Sequence, residues 1–461
     1  MPIKIFRVCP APFHTSTFRA EHRLDQRPFA DQIRLLREEN LLMPGGWASV
    51  MEEEGFEVFE TLYNDFALQS QWCKENRQSA LSISNMANDI NFQILKEQIR
   101  FFEPDVIFIY AGGFFFLFPE YIRELRSLLD KKVILSGFWG DELPKEYSYK
   151  DYFHDLDFVF CGSPIYETKF SEAGIPALNI GNCFDHTIKF SMPTKKIYDF
   201  VFSGTTGYGF MDHIGRYEKI LAVMSKSNLH IWANEPQKID HAKKEKILHL
   251  LFRIPSPVLK FFMILLQTSV SGKIRLKGRL TRTISNFKIF GKVKQAVSLV
   301  LSEKSRGANA ESFLKGSHPM ANYFDEKKTL KALFPQRVRP LLINCSDYYA
   351  LMAGSKLVLN LHRDEDADIG NIRCFEVTGL GSCLVTDRGH ELKEYFDIDN
   401  DIVTFETVDE CLRKVEFLLA HPSEIERISK NGQKATLSRH TVKHRAQVVS
   451  AKLKELLSNP G

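Results

Sequence analysis

Short apolar runs alternate with amphipathic stretches along most of the chain. IKIFRV (3–8), FEVFETL (56–62), DVIFIYA (105–111), KVILSGF (132–138), DFVFCGS (157–163) and PALNIG (176–181) are rich in β-branched and aromatic residues. Gly and Pro border them, and the pattern predicts six strands. Between them, PFADQIRLLREENLL, LQSQWCKENR, PEYIRELRSLL and YETKFSEAG carry apolar residues at helical spacing. A second series follows, with strands at 199–205, 229–234, 356–361, 382–387 and 402–405 and helices over 214–226, 346–353, 371–380, 408–420 and 423–431. The last of these helices is expected to open on the capping-box spacing of Ser423 and Glu426 and to close at Asn431–Gly432. Strand–helix alternation implies parallel sheets covered on both faces. The chain therefore reads as α/β, with two Rossmann-like, doubly wound domains facing a cleft. Their expected boundaries are 1–193 and 194–440, joined near SMPTKKIYD, with a C-terminal helix at 441–461.

Composition agrees with two large cores. The chain has 461 residues, 44% of them hydrophobic, with 37 Phe, which excludes a disordered protein. A net charge of only +4 gives no basic field of the kind nucleic acid selects, so no nucleic-acid partner is expected. The charge is unevenly spread, however. Residues 238–306 hold 16 Lys+Arg against 3 Asp+Glu, a net +13 that leaves −9 for the rest of the chain. This stretch interrupts the second domain and is expected to be a basic helical insert. Its core, 243–297, mixes Lys and Arg with Leu, Ile and Phe, as a helix lying on an anionic membrane surface does. The longest apolar run, VLKFFMILL (258–266), is far shorter than the roughly 20 residues a span requires. A helical hairpin packed on its own domain is the other reading. Eight scattered cysteines without a CxxC point to reduced thiols, and the N-terminus lacks the apolar core of a signal peptide. The expected location is cytoplasmic, peripheral on the inner face of the cell membrane if the insert docks there.

The stretch NIRCFEVTGLGSCLVTD (371–387) carries candidate chemistry: a helix with Arg373 and Glu376 in its first turns, then Thr378, Gly379 and Gly381, then an apolar strand. A helix N-terminus presents unpaired N–H groups and a positive dipole end, which suit an anion. Arg373 adds a fork shaped for phosphate oxygens. One turn deeper, the Glu376 carboxylate can accept hydrogen bonds from both hydroxyls of a ribose. Thr378, Gly379 and Gly381 let the backbone approach a ligand closely. The competing reading is an Arg373–Glu376 (i, i+3) ion pair with packing glycines.

Five separated motifs in SKLVLNLHRD…NIRCFEVTGLGSCLVTD…ELKEYF…LSRHTVKHRA occur in a definite order: Asn–His–Arg, Arg–x–Phe–Glu, Thr–Gly–x–Gly, His–Thr and a final Arg. In this order the segment resembles the C-terminal domain of the glycosyltransferase group-one family, in its CgeB-like branch. The N-terminal half, from HRLDQRPFADQIRLLREENLL through FEVFETLYNDF, resembles the same proteins more loosely. The resemblance implies the GT-B fold, a nucleotide-sugar donor, Glu376 on the donor ribose, and Asn371 and Arg373 at the diphosphate end of the helix. It departs from the family where the usual E-x7-E pattern has its first Glu, since that position here is Asp368.

The Gly-rich loop SGTTGYGFMDHIGRY (203–217) follows a strand and precedes a helix. With Gly204 at its start, it is expected to wrap the donor phosphates, with Thr205, His213 and Arg216 as contacts. Transfer also needs a base for the acceptor hydroxyl. His14 and Asp141, on loops expected to face the cleft, are the candidates; a turn-capping Asp and a backbone-bonded His are the plainer readings. His440, His444 and Arg445 are expected to cap and dock the last helix. DEDAD (364–368) reads as a solvated turn, so no metal and no cofactor is expected. The expected function is metal-independent transfer of a sugar from a nucleoside diphosphate to a glycan, glycolipid or protein acceptor, in cell-surface polysaccharide biosynthesis. A nucleotide-sugar epimerase on the same fold and a non-catalytic nucleotide-binding protein are the alternatives.

Overall fold

The computed structural model describes residues 2–12, 15–76, 90–110, 119–127, 133–140, 143, 148–207, 214–234, 326–342, 344–362, 371–389 and 391–458. His14, Asp141, His213, Asp368 and the basic insert lie outside the described residues. The chain divides into two compact units. The first comprises Met1–Gly204, Glu218–Ala233 and Arg339–Gly461, and it holds both sheets' central strands. The second comprises Thr205–Tyr217 and Asn234–Val338; within it the Tyr217 hydroxyl donates to the Lys328 carbonyl.

The first sheet contains β1 (Ile3–Cys9), β2 (Phe56–Leu62), β3 (Val106–Tyr110), β4 (Ile134–Trp139), β5 (Phe158–Cys161) and β6 (Ala177–Asn179), in the order β2-β1-β3-β4-β5-β6. Every pairing in it is parallel, with Ile3 beside Phe56 and Cys9 beside Leu62 at the two ends of the β1–β2 register. β1 shows why apolar runs became inner strands: Ile5, Phe6, Val8 and Cys9 are all buried, some on one face and some on the other.

The second sheet contains β7 (Tyr198–Thr205), β8 (His230–Asn234), β9 (Val338–Arg339), β10 (Ser355–Asn360), β11 (Cys383–Asp387) and β12 (Val403–Phe405), in the order β12-β11-β10-β7-β8-β9. The chain leaves β7 toward β8 and β9, then returns to add β10, β11 and β12 on the other side. The strand order therefore reverses between β7 and β10. In open α/β sheets ligands sit beyond the carboxyl ends of the strands at such a reversal. β9 was not legible in the sequence, because two residues carry no pattern.

One helix differs from the expectation. The stretch expected at 423–431 is helical from Pro422 to Arg439, with Pro422 in its first turn in place of a Ser423 cap. Gly432 does not end it. A Cβ there would stand 2.4 Å from the Asp401 carbonyl and 3.2 Å from the Thr378 methyl, so the glycine is required by close packing within a continuing helix. The capping that does occur is one helix earlier, where the Thr407 hydroxyl accepts from the Glu410 N–H at 3.2 Å.

The last helix, Val442–Ser458, returns to the first sheet. Val442, Ala446, Val449 and Leu453 pack with Ile5, Trp47, Phe108 and Phe160 in one buried cluster. Its entry is fixed by backbone hydrogen bonds, Phe184 N–H to His440 O (2.8 Å) and Val442 N–H to Phe184 O (2.9 Å). A second tie joins the halves of the unit: the buried Ser163 hydroxyl lies 3.0 and 3.1 Å from the two Glu391 carboxylate oxygens.

Candidate functional site

At the carboxyl end of β10 begins the helix Ile372–Gly379. Its N-cap residue, Asn371, does not cap it with its side chain. Instead the Asn371 amide donates to Asn360 Oδ1 at 3.1 Å, and the Asn360 amide donates to Thr386 Oγ1 at 3.0 Å. The Asn371 side chain is thus bound to the end of β10, through it to β11, and gives the helix no side-chain cap.

Arg373 is held on three sides. Its guanidinium donates to the Ser203 carbonyl at the end of β7, lies over the Tyr348 ring (4.9 Å to the centroid), and brings Nε to 3.4 Å from Glu376 Oε2. The ion pair of the plainer reading is therefore present. Glu376 is only 8% exposed, and it also accepts a hydrogen bond from the Tyr348 hydroxyl at 2.8 Å. Burial pushes the Glu376 carboxyl up; the Arg373 cation and the Tyr348 hydrogen bond oppose that. A carboxylate kept buried beside its cation, with a hydroxyl to orient it, is a preorganised acceptor for further O–H groups.

Glu376 also lines a cleft with residues from both halves of the first unit. Trp47, Tyr110, Phe138 and Asp185 face it from one side, Tyr349 and Glu376 from the other, and Arg445 from the last helix. The Trp47 side is positioned by Arg7, a fully buried cation on β1. Arg7 pairs with Glu60 at 2.5 Å and donates to the carbonyls of Leu42 (3.2 Å), Pro44 (3.3 Å) and Met43. Its guanidinium lies 4.7 Å from the Trp47 ring centroid and 5.1 Å from that of Tyr110. Asp185 fixes the same loop by accepting from the Gly46 N–H at 2.8 Å. None of the eight cysteines is disulfide-bonded, and burial raises every thiol, that of Cys374 to about 12, so none serves as a thiolate nucleophile near neutral pH.

Residues 322–451 match a family model described as glycosyl transferase-like. The fold is that of HepE (Alr3699) from Anabaena, whose complex with UDP-glucose aligns with a TM-score of 0.52 over 98% of this chain and 100% of that one, at 12% identity. It is also that of sucrose-phosphate synthase from Thermosynechococcus elongatus, with a TM-score of 0.50, 99% coverage of both chains and 8% identity. No curated protein matches the sequence. The chain has the GT-B fold.

Two of the residues expected to face the donor are used otherwise. The Thr378 hydroxyl is buried, 2.7 Å from the Cys374 carbonyl and 2.6 Å from the Thr436 hydroxyl, so it has no capacity left for a ligand. Gly379 is a packing glycine: a Cβ there would stand 2.5 Å from the Phe184 ring. Thr378, two positions on, lies about 200° around the axis from Glu376 and meets the Pro422–Arg439 helix, while Gly379, three positions on and nearer the Glu376 side, has its space taken by Phe184, so a contiguous reading of Glu–x–Thr–Gly misassigns them. Gly204 has φ of 149°, a conformation that favours glycine, at the end of β7. Thr205 is exposed and its hydroxyl lies 3.2 Å from the Arg216 guanidinium. The structure thus brings Asn371, Arg373 and Glu376 to the end of β10, and pairs Thr205 with Arg216 within the second unit.

Sequence reasoning assigned no role to Tyr348, Ser203, His362 or Asp387. His362 and Asp387 stand inside the quoted motifs, NLH and LVTD, but only strand pairing shows that they meet. His362 Nδ1 is 2.7 Å from Asp387 Oδ1, and the same oxygen accepts from the His362 N–H at 3.0 Å. Lys219 Nζ lies 3.1 Å from Asp387 Oδ2. Burial acts to raise the Asp387 carboxyl, yet the His362 hydrogen bonds and charge and the Lys219 cation hold it below the usual carboxylate range.

The end motif makes an anchor. Arg445 donates to the Asn182 carbonyl (2.9 Å), to the Arg439 carbonyl (3.0 Å) and toward His440 Nδ1 (2.9 Å), while His440 Nε2 is 3.3 Å from the Tyr395 carbonyl. Burial, then the Arg445 cation, push the His440 imidazole down to about 4. Protonation consequently favours the unfolded chain. The stability held above pH about 6.5 is lost as pH falls toward about 4. Urea midpoints measured across that window should fall more steeply for the parent protein than for H440Q; parallel profiles would show that His440 does not set the slope.

Proposed function

We propose that this protein is a glycosyltransferase that moves a glycosyl group from a nucleoside diphosphate sugar, bound at the reversal point of the second sheet, to a hydroxyl of a glycan, glycolipid or protein acceptor. The observation that carries this reading is Glu376, buried with Arg373 and Tyr348 at the start of the 372–379 helix and open to a cleft lined from both halves. The uncapped helix start and Arg373 suit a diphosphate. Glu376 suits the ribose hydroxyls one turn deeper. The complex of HepE with UDP-glucose supports a nucleotide-sugar donor for the fold. Aromatic rings and carboxylates along the cleft are the usual surface for a sugar face and its hydroxyls. Metal independence belongs to the same reading, with Arg373, the helix dipole and backbone N–H groups offsetting the charge of the leaving diphosphate. So does a role in surface polysaccharide synthesis at the cytoplasmic membrane face, which rests on the charge of residues 243–297.

The deciding experiment offers a panel of UDP-, GDP- and dTDP-sugars to the full chain, with and without glycan and lipid-linked acceptors and with and without EDTA. Nucleotide release that depends on acceptor and survives EDTA is the expected result. Sugar isomerisation without acceptor would identify an epimerase, and the absence of turnover with bound nucleotide a binding protein.

A further inference from the structure

The mouth of the second sheet contains polar atoms that are buried and unpaired. Among the described residues these include Ser203 Oγ, His362 Nε2 and Arg373 Nε, the last of which has only the 3.4 Å ion pair with Glu376. They come from three elements: the end of β7, the residue pair after β10, and the first turn of the 372–379 helix. Register brings two of them together. Leu359 of β10 pairs with Phe202 of β7, so Asn360 runs beside Ser203 and His362 follows two residues on. Both side chains lie where the strand order reverses. Ser203 is 1% exposed and His362 3% exposed. A buried polar group without a partner is costly, and a cluster of them needs an explanation.

The chemistry of the cluster selects a ligand. The Ser203 hydroxyl and Arg373 Nε are donors, and the helix N-terminus adds N–H groups. His362 is directional: Asp387 is held ionised, so the Nδ1 proton lies toward Oδ1 and Nε2 faces the other way. The charged groups placed around the ring are Asp387 from β11, Lys219 behind Asp387, and Arg373 from the helix. With Nδ1 committed to Asp387, Nε2 is the ring nitrogen left for a ligand, and as an N–H it can donate to a phosphate oxygen with Asp387 balancing the charge. Donors on three sides and a carboxylate-backed imidazole suit a multiply charged phosphate group better than a sugar hydroxyl.

We propose that His362, seconded by Ser203, binds the diphosphate of the donor through Nε2. This rests on the donor-site reading above. It adds a diphosphate-specific contact, so the gain of a nucleoside diphosphate over its monophosphate is lost when Nε2 is removed.

Isothermal titration on the full chain with UDP and UMP, and with GDP and GMP as the second pair, tests it. His362→Asn is the informative variant, since the Asn amide can keep the hydrogen bond to Asp387 while removing Nε2. We expect the variant to bind the diphosphate at least tenfold more weakly and the monophosphate within twofold of the parent. Ser203→Ala should weaken diphosphate binding about threefold. Ser203→Ala removes only a hydroxyl, so it keeps the test open if H362N folds poorly. An unchanged diphosphate-to-monophosphate ratio in H362N, or in S203A should H362N not fold, overturns the proposal while leaving the donor site in place. A parent protein that binds neither nucleotide overturns both.

Discussion

Glu376→Gln is expected to lower donor kcat/KM by about a hundredfold, equivalent to roughly 2.7 kcal/mol of lost interaction. The substitution keeps the size of the side chain and an oxygen for the Tyr348 hydroxyl, and it removes the negative charge beside Arg373. Hydrogen bonds to a charged acceptor contribute about 1.5–3 kcal/mol each, and a ribose presents two hydroxyls. The folded protein should melt within a degree or two of the parent. A nucleoside diphosphate at about 100 times its Kd, which stabilises the parent by roughly 2.7 kcal/mol, should then stabilise the variant far less. Glu376→Ala differs in a useful way. It leaves the Tyr348 hydroxyl and the Arg373 cation without their partner, so the unliganded protein should itself lose about 1–3 kcal/mol. Full nucleotide stabilisation in E376Q would move the ribose contact elsewhere and leave Glu376 as the ion-pair partner of Arg373 alone.

Arg7→Ala should be the most destabilising single change, at about 3–5 kcal/mol, because it leaves a buried Glu60 carboxylate and three loop carbonyls without their central donor. For a domain of this size that corresponds to a drop in Tm of roughly 10 °C. Arg37, the other partner of Glu60, has a side chain 27% exposed, and Arg37→Ala should cost about 1 kcal/mol or less. The comparison isolates burial from charge. Calorimetric melting of both variants decides it, and equal shifts would show that Arg7 is not the keystone. The change also reaches the cleft, since Arg7 holds the Leu42–Pro44 loop and stacks near Trp47 and Tyr110. Donor and acceptor kinetics in R7A, measured well below its Tm, should therefore show a raised acceptor KM.

The sequence by itself determined the strands and the fold class. FEVFETL became β2 at 56–62 without adjustment, and the other long apolar runs became parallel strands within a residue or three, because side-chain period and burial on two faces are local facts. It also determined that Asn371, Arg373 and Glu376 share the start of one helix, since an i, i+3 spacing is written in the chain. What it could not determine was which face of that helix meets what. Thr378 and Gly379 read as ligand contacts by adjacency, yet Thr378, two positions on, points to the other side of the axis and meets Thr436, and the space beside Gly379 is taken by Phe184. Gly432 read as a helix end for the same reason: only the Asp401 carbonyl, 31 residues away in sequence, shows that it is a close contact. Ser203, His362 and Asp387 are separated by 159 and 25 residues in the chain and come to one end of the sheet only because β7, β10 and β11 pair side by side. Pairing order is set by which strands bury each other's faces across the whole domain, a collective choice that no window of sequence contains.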